Sequence, residues 1–302
     1  MDSSIKCNTL CDICPRHCNK DRAHGALGYC GMSDEIKIAR CALHHWEEPP
    51  ISGQKGSGTI FFSGCNLRCI YCQNRAVSHE GLGKRVSASE LAEMMFSLKA
   101  QGAHNINLVT PTHYTNIIVE VLTEVKKELA LPIVWNSGGY DSLPSLERLC
   151  GLVDIYLPDL KYADRELALR YSGAADYPEV AEAAIKEMYR QVGKFELDEN
   201  GIMTRGLIVR HLVLPGCRKN SLEVLGRLHR AVPVENIKLS LMSQYTPDFA
   251  MGCGYKNLER RITGFEYTSV LERAEALGFD GYFQDRSSAN KSYTPEFFGD
   301  TE

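Results

Sequence analysis

The chain has 302 residues, enough for a large buried core, and a formal net charge of -4. Its Lys and Arg residues are scattered, which argues against a broad nucleic-acid-binding surface. The 12 cysteines, the absence of a signal-peptide pattern and the absence of an apolar run near ~20 residues predict a soluble cytoplasmic protein without a membrane span.

Cysteine content divides the chain into two parts. Nine of the 12 cysteines lie in the first 72 residues, and a stretch rich in Pro and Gly begins after Glu48. We therefore expect a Cys-rich head and linker over residues 1–50 and a second domain over residues 51–302.

The head contains five closely spaced cysteines, and we predict that four of them bind a metal. A zinc ion and a second iron–sulfur cluster both fit four thiolates, and four protein ligands leave no open position, which favours a structural role. Cys7 is the fifth thiol, and His17 is interpreted as a loop residue. The favoured ligands are Cys11, Cys14, Cys18 and Cys30.

The segment between the head and the second domain carries His44, His45 and Trp46, followed by two glutamates. It is interpreted either as a substrate-facing segment over the mouth of the second domain or as a linker packed through Trp46. The roles of both histidines stay open, as do those of His113 and Cys217.

Three cysteines follow directly on the apolar run at residues 59–62. Cys65, Cys69 and Cys72 supply three thiolates, whereas a cubane cluster takes four ligands, one for each iron. The fourth iron would stay open to a bound substrate. A structural zinc site, a redox pair and unrelated buried thiols are the alternatives.

The rest of the chain alternates apolar strand-like runs with amphipathic stretches, a pattern typical of βα units around a parallel sheet. Ser87 and Glu90 have the spacing of a capping box at the start of one helix. Right-handed crossovers would wind the strands into a barrel or partial barrel, with ligands at their carboxyl ends. Six strands are predicted, at residues 58–63, 105–110, 132–137, 153–158, 206–214 and 236–242.

The cysteine loop, with Tyr71 at its aromatic position, resembles the Cys-x3-Cys-x-aromatic-Cys loop of the radical S-adenosylmethionine (SAM) superfamily. The resemblance implies an α/β fold with a partial (β/α)6 barrel and a [4Fe–4S] cluster on Cys65, Cys69 and Cys72. It implies reductive cleavage of SAM to a 5′-deoxyadenosyl radical that abstracts hydrogen from a substrate. An external electron donor, flavodoxin or ferredoxin, is implied as well.

The second domain is similar, more specifically, to the activating enzymes of pyruvate formate-lyase and related glycyl-radical enzymes, and the head resembles one subgroup of them. The likeness lies in Asn74, in residues 155–161 with Asp159 and Lys161, and in residues 210–216. It implies that Tyr71, Asn74, Asp159 and Lys161 contact SAM.

Two motifs depart from that family. Residues 109–114 lack the acidic residue that holds the SAM ammonium in the family, and Thr110 and Thr112 are the candidate replacements. Asn136 and Ser137 stand where the activases have Asp and Thr, and they are expected to line the SAM site. The lost charge puts any cation bound there in doubt.

The substrate therefore stays open. One interpretation is activation of a partner glycyl-radical enzyme, as by the [formate-C-acetyltransferase]-activating enzyme. The alternative is radical modification of another protein, a peptide or a small molecule. A non-enzymatic zinc-binding regulatory protein is the alternative from another class.

Overall fold

The computed structural model describes residues 10–283 and residue 297. Its strands are β1 (Lys37–His44), β2 (Ser57–Phe62), β3 (Lys84–Arg85), β4 (Ile106–Val109), β5 (Ile133–Ser137), β6 (Ile155–Pro158), β7 (Glu196–Leu197), β8 (Met203–Leu212), β9 (Lys238–Met242) and β10 (Gly281–Phe283). Its α-helices are α1 (Pro49–Ser52), α2 (Arg75–Ser78), α3 (Ala88–Ala100), α4 (Thr115–Leu129), α5 (Leu143–Leu149), α6 (Arg165–Ser172), α7 (Tyr177–Val192), α8 (Arg218–Ala231) and α9 (Gly264–Ala276).

One sheet organises the fold, in the order β10-β9-β8-β6-β5-β4-β2-β1-β3, with β7 paired to β8. The strands from β2 to β10 along this order run parallel, whereas β1 is antiparallel to β2. The six predicted strands correspond to β2, β4, β5, β6, β8 and β9, which confirms the predicted α/β fold with its parallel sheet. The strands β1, β3, β7 and β10 were not among the predicted strands.

The connecting helices pack against the outer face of the sheet. Ser87 accepts a hydrogen bond from the Glu90 amide and Glu90 accepts one from the Ser87 amide, so the predicted capping box begins α3. Leu91, Met95 and Leu98 of that helix are fully buried. The short helices α5 and α6 have seven and eight residues, too few for a recognisable helical periodicity in the sequence.

The inner face of the sheet is filled at one end by a short segment from before the first parallel strand. Ile51 of α1 is fully buried against side chains of the central strands. The apolar layer that it completes consists of Val134, Ile155, Leu157, Met203 and Ile208. This layer leaves the opposite end, where the strands end, available for polar residues.

The head lies against the loop that follows β2. The Cys65 amide donates a hydrogen bond of 3.2 Å to the Cys30 carbonyl oxygen. β1, which falls within the first 50 residues, adds directly to the sheet through β2. The division at residue 50 stays a prediction. Within residues 10–283, no helix has the length and apolar character needed to cross a membrane.

Candidate functional site

The cysteine loop connects β2 to α2 and has a hydrogen-bond donor for every sulfur. The Leu67 amide donates to Cys65 Sγ at 3.3 Å, the Ser172 hydroxyl to Cys69 Sγ at 3.0 Å and the Ser78 hydroxyl to Cys72 Sγ at 3.3 Å. Such bonds stabilise thiolates, and in iron–sulfur centres they change the reduction potential of the cluster. The loop is therefore equipped to hold three thiolate ligands.

The donor chemistry of this loop suits a [4Fe–4S] cluster. Burial, together with the neighbouring Cys69, raises the pKa of the Cys65 thiol to about 12, so a metal must displace its proton on binding. No three His, Cys, Asp or Glu side chains between residues 10 and 283 are arranged to hold a single metal ion. Cys65, Cys69 and Cys72 are the residues that would hold the cluster.

A cavity of about 230 Å³ opens beside the three thiols, at the carboxyl ends of the parallel strands. This is the end of a βα barrel where ligands bind. Apolar walls come from Leu67, Leu212 and Met242. The predicted cofactor-binding residues that line it are Tyr71, Asn74, Thr110, Asn136, Ser137, Asp159 and Lys161.

Thr112 is the predicted cofactor-binding residue that does not line the cavity. Its hydroxyl donates to Asp141 Oδ1 at 2.7 Å, and Ser137 donates to Asp141 Oδ2 at 2.5 Å. Burial raises the pKa of Asp141 despite these donors and the Trp135 indole. The Thr112 hydroxyl therefore donates to a buried carboxyl group behind the cavity wall and does not face the cavity.

Thr110 reaches the cavity with an unusual backbone. Its φ of 58° lies in the left-handed region, which is rare for a β-branched residue. A hydrogen bond of 2.8 Å from the Thr110 amide to the Asn136 carbonyl oxygen stabilises this conformation. Strain of this kind is concentrated at functional sites.

Charged residues form a network at the floor of the cavity. Asp159 accepts from Lys161 at 2.5 Å and from Arg210 at 3.0 Å, and Arg210 also reaches Glu47 at 3.0 Å. Burial opposes ionisation of Asp159, but Arg210 and Lys161 outweigh it and hold its pKa below the usual range. Asn136 accepts from Arg210 at 2.6 Å and donates to Glu47 at 3.1 Å. We call Glu47, Asn136, Asp159, Lys161 and Arg210 the charge layer.

Two members of this layer, Glu47 and Arg210, have no predicted role in the site. Glu47 is predicted to lie in a linker or in a segment over the mouth, and its carboxylate pairs with Arg210 in the interior of the barrel. Arg210 follows Ile208 by two residues on β8, so the period of two places both side chains on the inner face. An arginine at an inward-facing position of a strand is the feature of the sequence that could have indicated a buried charge here.

A second cavity, of about 430 Å³, adjoins the first and shares Arg210, Met242 and Gln244 with it. Trp46 and Glu48 line one side of it, and β10 lines another. Burial raises the pKa of Glu48 to about 7 against the opposing effect of Arg210. This cavity therefore contains a carboxyl group that titrates near neutral pH.

The other singled-out residues lie away from both cavities. His113 is buried with Nε2 2.7 Å from the Ser63 carbonyl oxygen, and burial together with the Arg22 cation lowers its pKa to about 3. His44 ends β1, and His45 packs beside Gly56. Cys217 is buried near Tyr171, and these placements assign no chemical role to any of the four.

The head brings Cys11, Cys14, Cys18 and Cys30 into one region, whereas Cys7 lies outside the described residues. His17 is exposed and pairs with Asp12, in keeping with a loop residue. The head thiols do not line either of the two cavities described above.

Known proteins that are similar to this chain include two by sequence and one by fold. An uncharacterized protein of Methanocaldococcus jannaschii is 28% identical over 283 residues, which is 89% of this chain and 75% of the relative. The 7-carboxy-7-deazaguanine synthase of Methanothermobacter thermautotrophicus is 33% identical over 108 residues, 35% of this chain and 41% of that protein. A radical SAM methyltransferase from Sphaerobacter thermophilus superposes with a TM-score of 0.53 at 14% identity, covering 76% of this chain and 66% of that one.

The family comparison covers the site itself. Residues 59–195 match the Radical SAM superfamily, and this range includes the cysteine loop, Asn136 and the Asp159–Lys161 pair. The superfamily implies SAM and a [4Fe–4S] cluster as cofactors, and its chemistry is radical formation from SAM. Residues 59–195, which hold the cysteine loop, therefore match a radical SAM superfamily domain.

Proposed function

We propose that this protein is an enzyme that cleaves SAM reductively and uses the radical to abstract hydrogen from a substrate. One observation carries the proposal: the three loop thiols, each with a hydrogen-bond donor, face the same cavity as the Asp159–Lys161 pair. A [4Fe–4S] cluster bound by Cys65, Cys69 and Cys72 would supply the electron that breaks the SAM sulfonium bond.

The protein contributes binding and orientation. Asp159 and Lys161 present an acceptor and a cation to the cavity, which suits the hydroxyl and ammonium groups and the carboxylate of SAM. Asn136 is already bonded to Glu47 and Arg210, so its amide holds the charge layer in place. The Arg210 guanidinium lies beside Asn136, the position at which the sequence puts a bound cation in doubt.

The second cavity is the proposed position of the hydrogen donor. It adjoins the SAM cavity through Arg210, Met242 and Gln244, so a substrate there would lie next to SAM. Trp46 and Glu48 offer an aromatic face and a carboxyl group. In the adjoining SAM cavity, Leu67, Leu212 and Met242 supply apolar surface that would help to keep water from a reactive radical.

Two substrate classes follow from the residues. Asn74 and the Asp159-Leu160-Lys161 run support activation of a partner glycyl-radical enzyme, in the manner of the pyruvate formate-lyase activases. The alternative is another protein, a peptide or a small molecule. In either case the proposal includes flavodoxin or ferredoxin as electron donor.

Anaerobic reconstitution with iron and sulfide tests the proposal directly. The loaded protein should release 5′-deoxyadenosine from SAM under dithionite, and Ala at Cys65, Cys69 or Cys72 should abolish that release. Cys150→Ala, which changes an exposed thiol far from the loop, is the matched control. Undiminished turnover in any of the three loop variants would overturn the cluster assignment, and a colourless zinc protein without turnover would support the regulatory alternative.

The substrate is tested separately. Incubation with glycyl-radical enzymes from the same organism should give the electron paramagnetic resonance doublet of a glycyl radical if activation is the function. SAM cleavage without a glycyl radical on any of these partners would favour the alternative substrate class.

A further inference from the structure

Two of the four head thiols lie against a glycine. A Cβ atom at Gly28 would lie 3.3 Å from Cys30 Sγ and 3.4 Å from both Cys18 Sγ and Arg22 Cδ, so a larger residue here would press on both sulfurs. Electrostatic interactions join Cys14 to Cys30, Cys11 and Cys18, which places all four sulfurs in one neighbourhood. Cys14 and Cys30 are buried.

A buried cation accompanies these thiols. Arg22 is 3% exposed, and its Nη1 lies 3.6 Å from Cys11 Sγ. The same nitrogen donates to the His113 carbonyl oxygen at 2.7 Å, and Nε donates to the Met32 carbonyl oxygen at 3.1 Å. Burying a guanidinium is costly unless negative charge lies close to it, and four thiolates around a metal would provide that charge.

We propose that Cys11, Cys14, Cys18 and Cys30 bind one thiophilic metal centre, and that this centre fixes the loop that carries Cys65. Four thiolates suit either a tetrahedral zinc ion or an iron–sulfur cluster, and both would be coordinatively closed. The thiols are not drawn together at the spacing of a single ion, so zinc would bring them closer, whereas a cubane holds its ligands further apart.

The link from the head to the loop is short and specific. The Cys65 amide donates to the Cys30 carbonyl oxygen at 3.2 Å, so a head ligand and a loop cysteine are joined through their backbones. Arg16, between Cys14 and Cys18, donates from Nε to the Asn66 carbonyl oxygen at 2.6 Å and from Nη2 to the Ser172 carbonyl oxygen at 2.7 Å.

These contacts give the head centre a mechanical role. Asn66 follows Cys65 in the loop, and Ser172 donates to Cys69 Sγ. The Arg16 guanidinium lies 3.9 Å from the centre of the Tyr29 ring, next to Cys30 in the chain. Cys30 and Arg16 therefore connect the head centre to the start of the loop and to the donor of Cys69, and loss of the metal would loosen both connections.

Metal analysis of the anaerobically prepared, reconstituted full chain tests the site without any activity measurement. About eight irons per chain, or about four irons and one zinc, would support the four-thiolate centre and identify its metal. About four irons without zinc would overturn it. Because the count does not depend on SAM cleavage, its failure is distinct from failure of the proposed function.

Substitutions locate the second metal. Cys14→Ser and Cys30→Ser should lose it and keep the loop irons, Cys65→Ala should do the reverse, and Cys150→Ser should keep both. Gly28→Ala, which leaves every ligand in place, should lower its occupancy. Unchanged metal counts in Cys14→Ser and Cys30→Ser would contradict the assignment even if one variant folds poorly.

The mechanical role has its own measurement. In Cys14→Ser, the remaining iron chromophore should bleach under a chelator at least several-fold faster than in Cys150→Ser. Equal bleaching rates would overturn the role of the head in fixing the loop.

Discussion

Removing Arg210 from the charge layer should cost far more stability than removing an exposed arginine. Arg210→Met deletes the bonds to Asp159 and Glu47 while keeping most of the side-chain volume. Asp159 keeps Lys161, but Glu47, whose side chain is 12% exposed, loses its cation. Breaking a buried ion pair from one side costs about 3–5 kcal/mol. With a urea m-value of about 3 kcal/mol/M, the unfolding midpoint should fall by about 1–1.7 M.

The assay is equilibrium urea unfolding followed by far-ultraviolet circular dichroism. Arg170→Met is the matched control, because both partners of its ion pair with Glu166 are exposed and the pair is worth about 1 kcal/mol or less. The double variant Arg210→Met with Glu47→Gln should recover about 1–3 kcal/mol, because the stranded carboxylate is gone. An Arg210→Met cost no larger than that of Arg170→Met would refute the reasoning.

Three further changes test other parts of the site. Gly139→Ala should weaken SAM binding at least about tenfold, since its Cβ would lie 2.1 Å from the Asp159 carbonyl oxygen. Gly151→Ala is the control and should leave SAM binding unchanged, because Gly151 also has a positive φ but open space around it. Equal SAM affinities of the two variants in calorimetry would contradict this prediction. Ser172→Ala should shift the cluster potential to a more negative value by removing the donor to Cys69, and an unchanged redox titration would count against that bond. Glu48 holds its proton to about pH 7 when folded but only to about 4.5 when unfolded, so its contribution to stability is present below about pH 4.5 and lost as the pH rises through 7. Relative to Glu48→Gln, the free energy of unfolding should fall by about 1.4 kcal/mol from pH 6 to pH 8, and parallel curves would exclude the raised pKa.

The fold was predictable from local patterns because most of the parallel strands are short, largely buried runs. All positions of β2, β4, β5 and β6 are buried, and this is what their Val, Ile and Leu content indicates. β1 and β10 escaped prediction for the opposite reason. β1 mixes basic with apolar residues and is partly exposed at six of its eight positions, and β10 has three residues, too few for a pattern.

The cysteine loop was predictable as a unit because its ligands are close in sequence, whereas the charge layer depends on distant contacts. Glu47 and Arg210 are separated by 163 positions, and nothing near either residue indicates the other. Thr112 shows that closeness in sequence can also mislead. Its proximity to Thr110 suggests that both bind SAM, but a short helical turn directs the Thr112 hydroxyl to Asp141 instead.

Glu47 and Ile51 come from before the first parallel strand, yet both contribute to the barrel interior, one to the charge layer and the other to the apolar layer. A chimera that exchanged the N-terminal region at residue 50 would separate Glu47 from Arg210 and divide α1 after its second residue. Functional exchange of heads between relatives therefore requires a junction ahead of Glu47, so that the residues completing the barrel travel with the strands they serve.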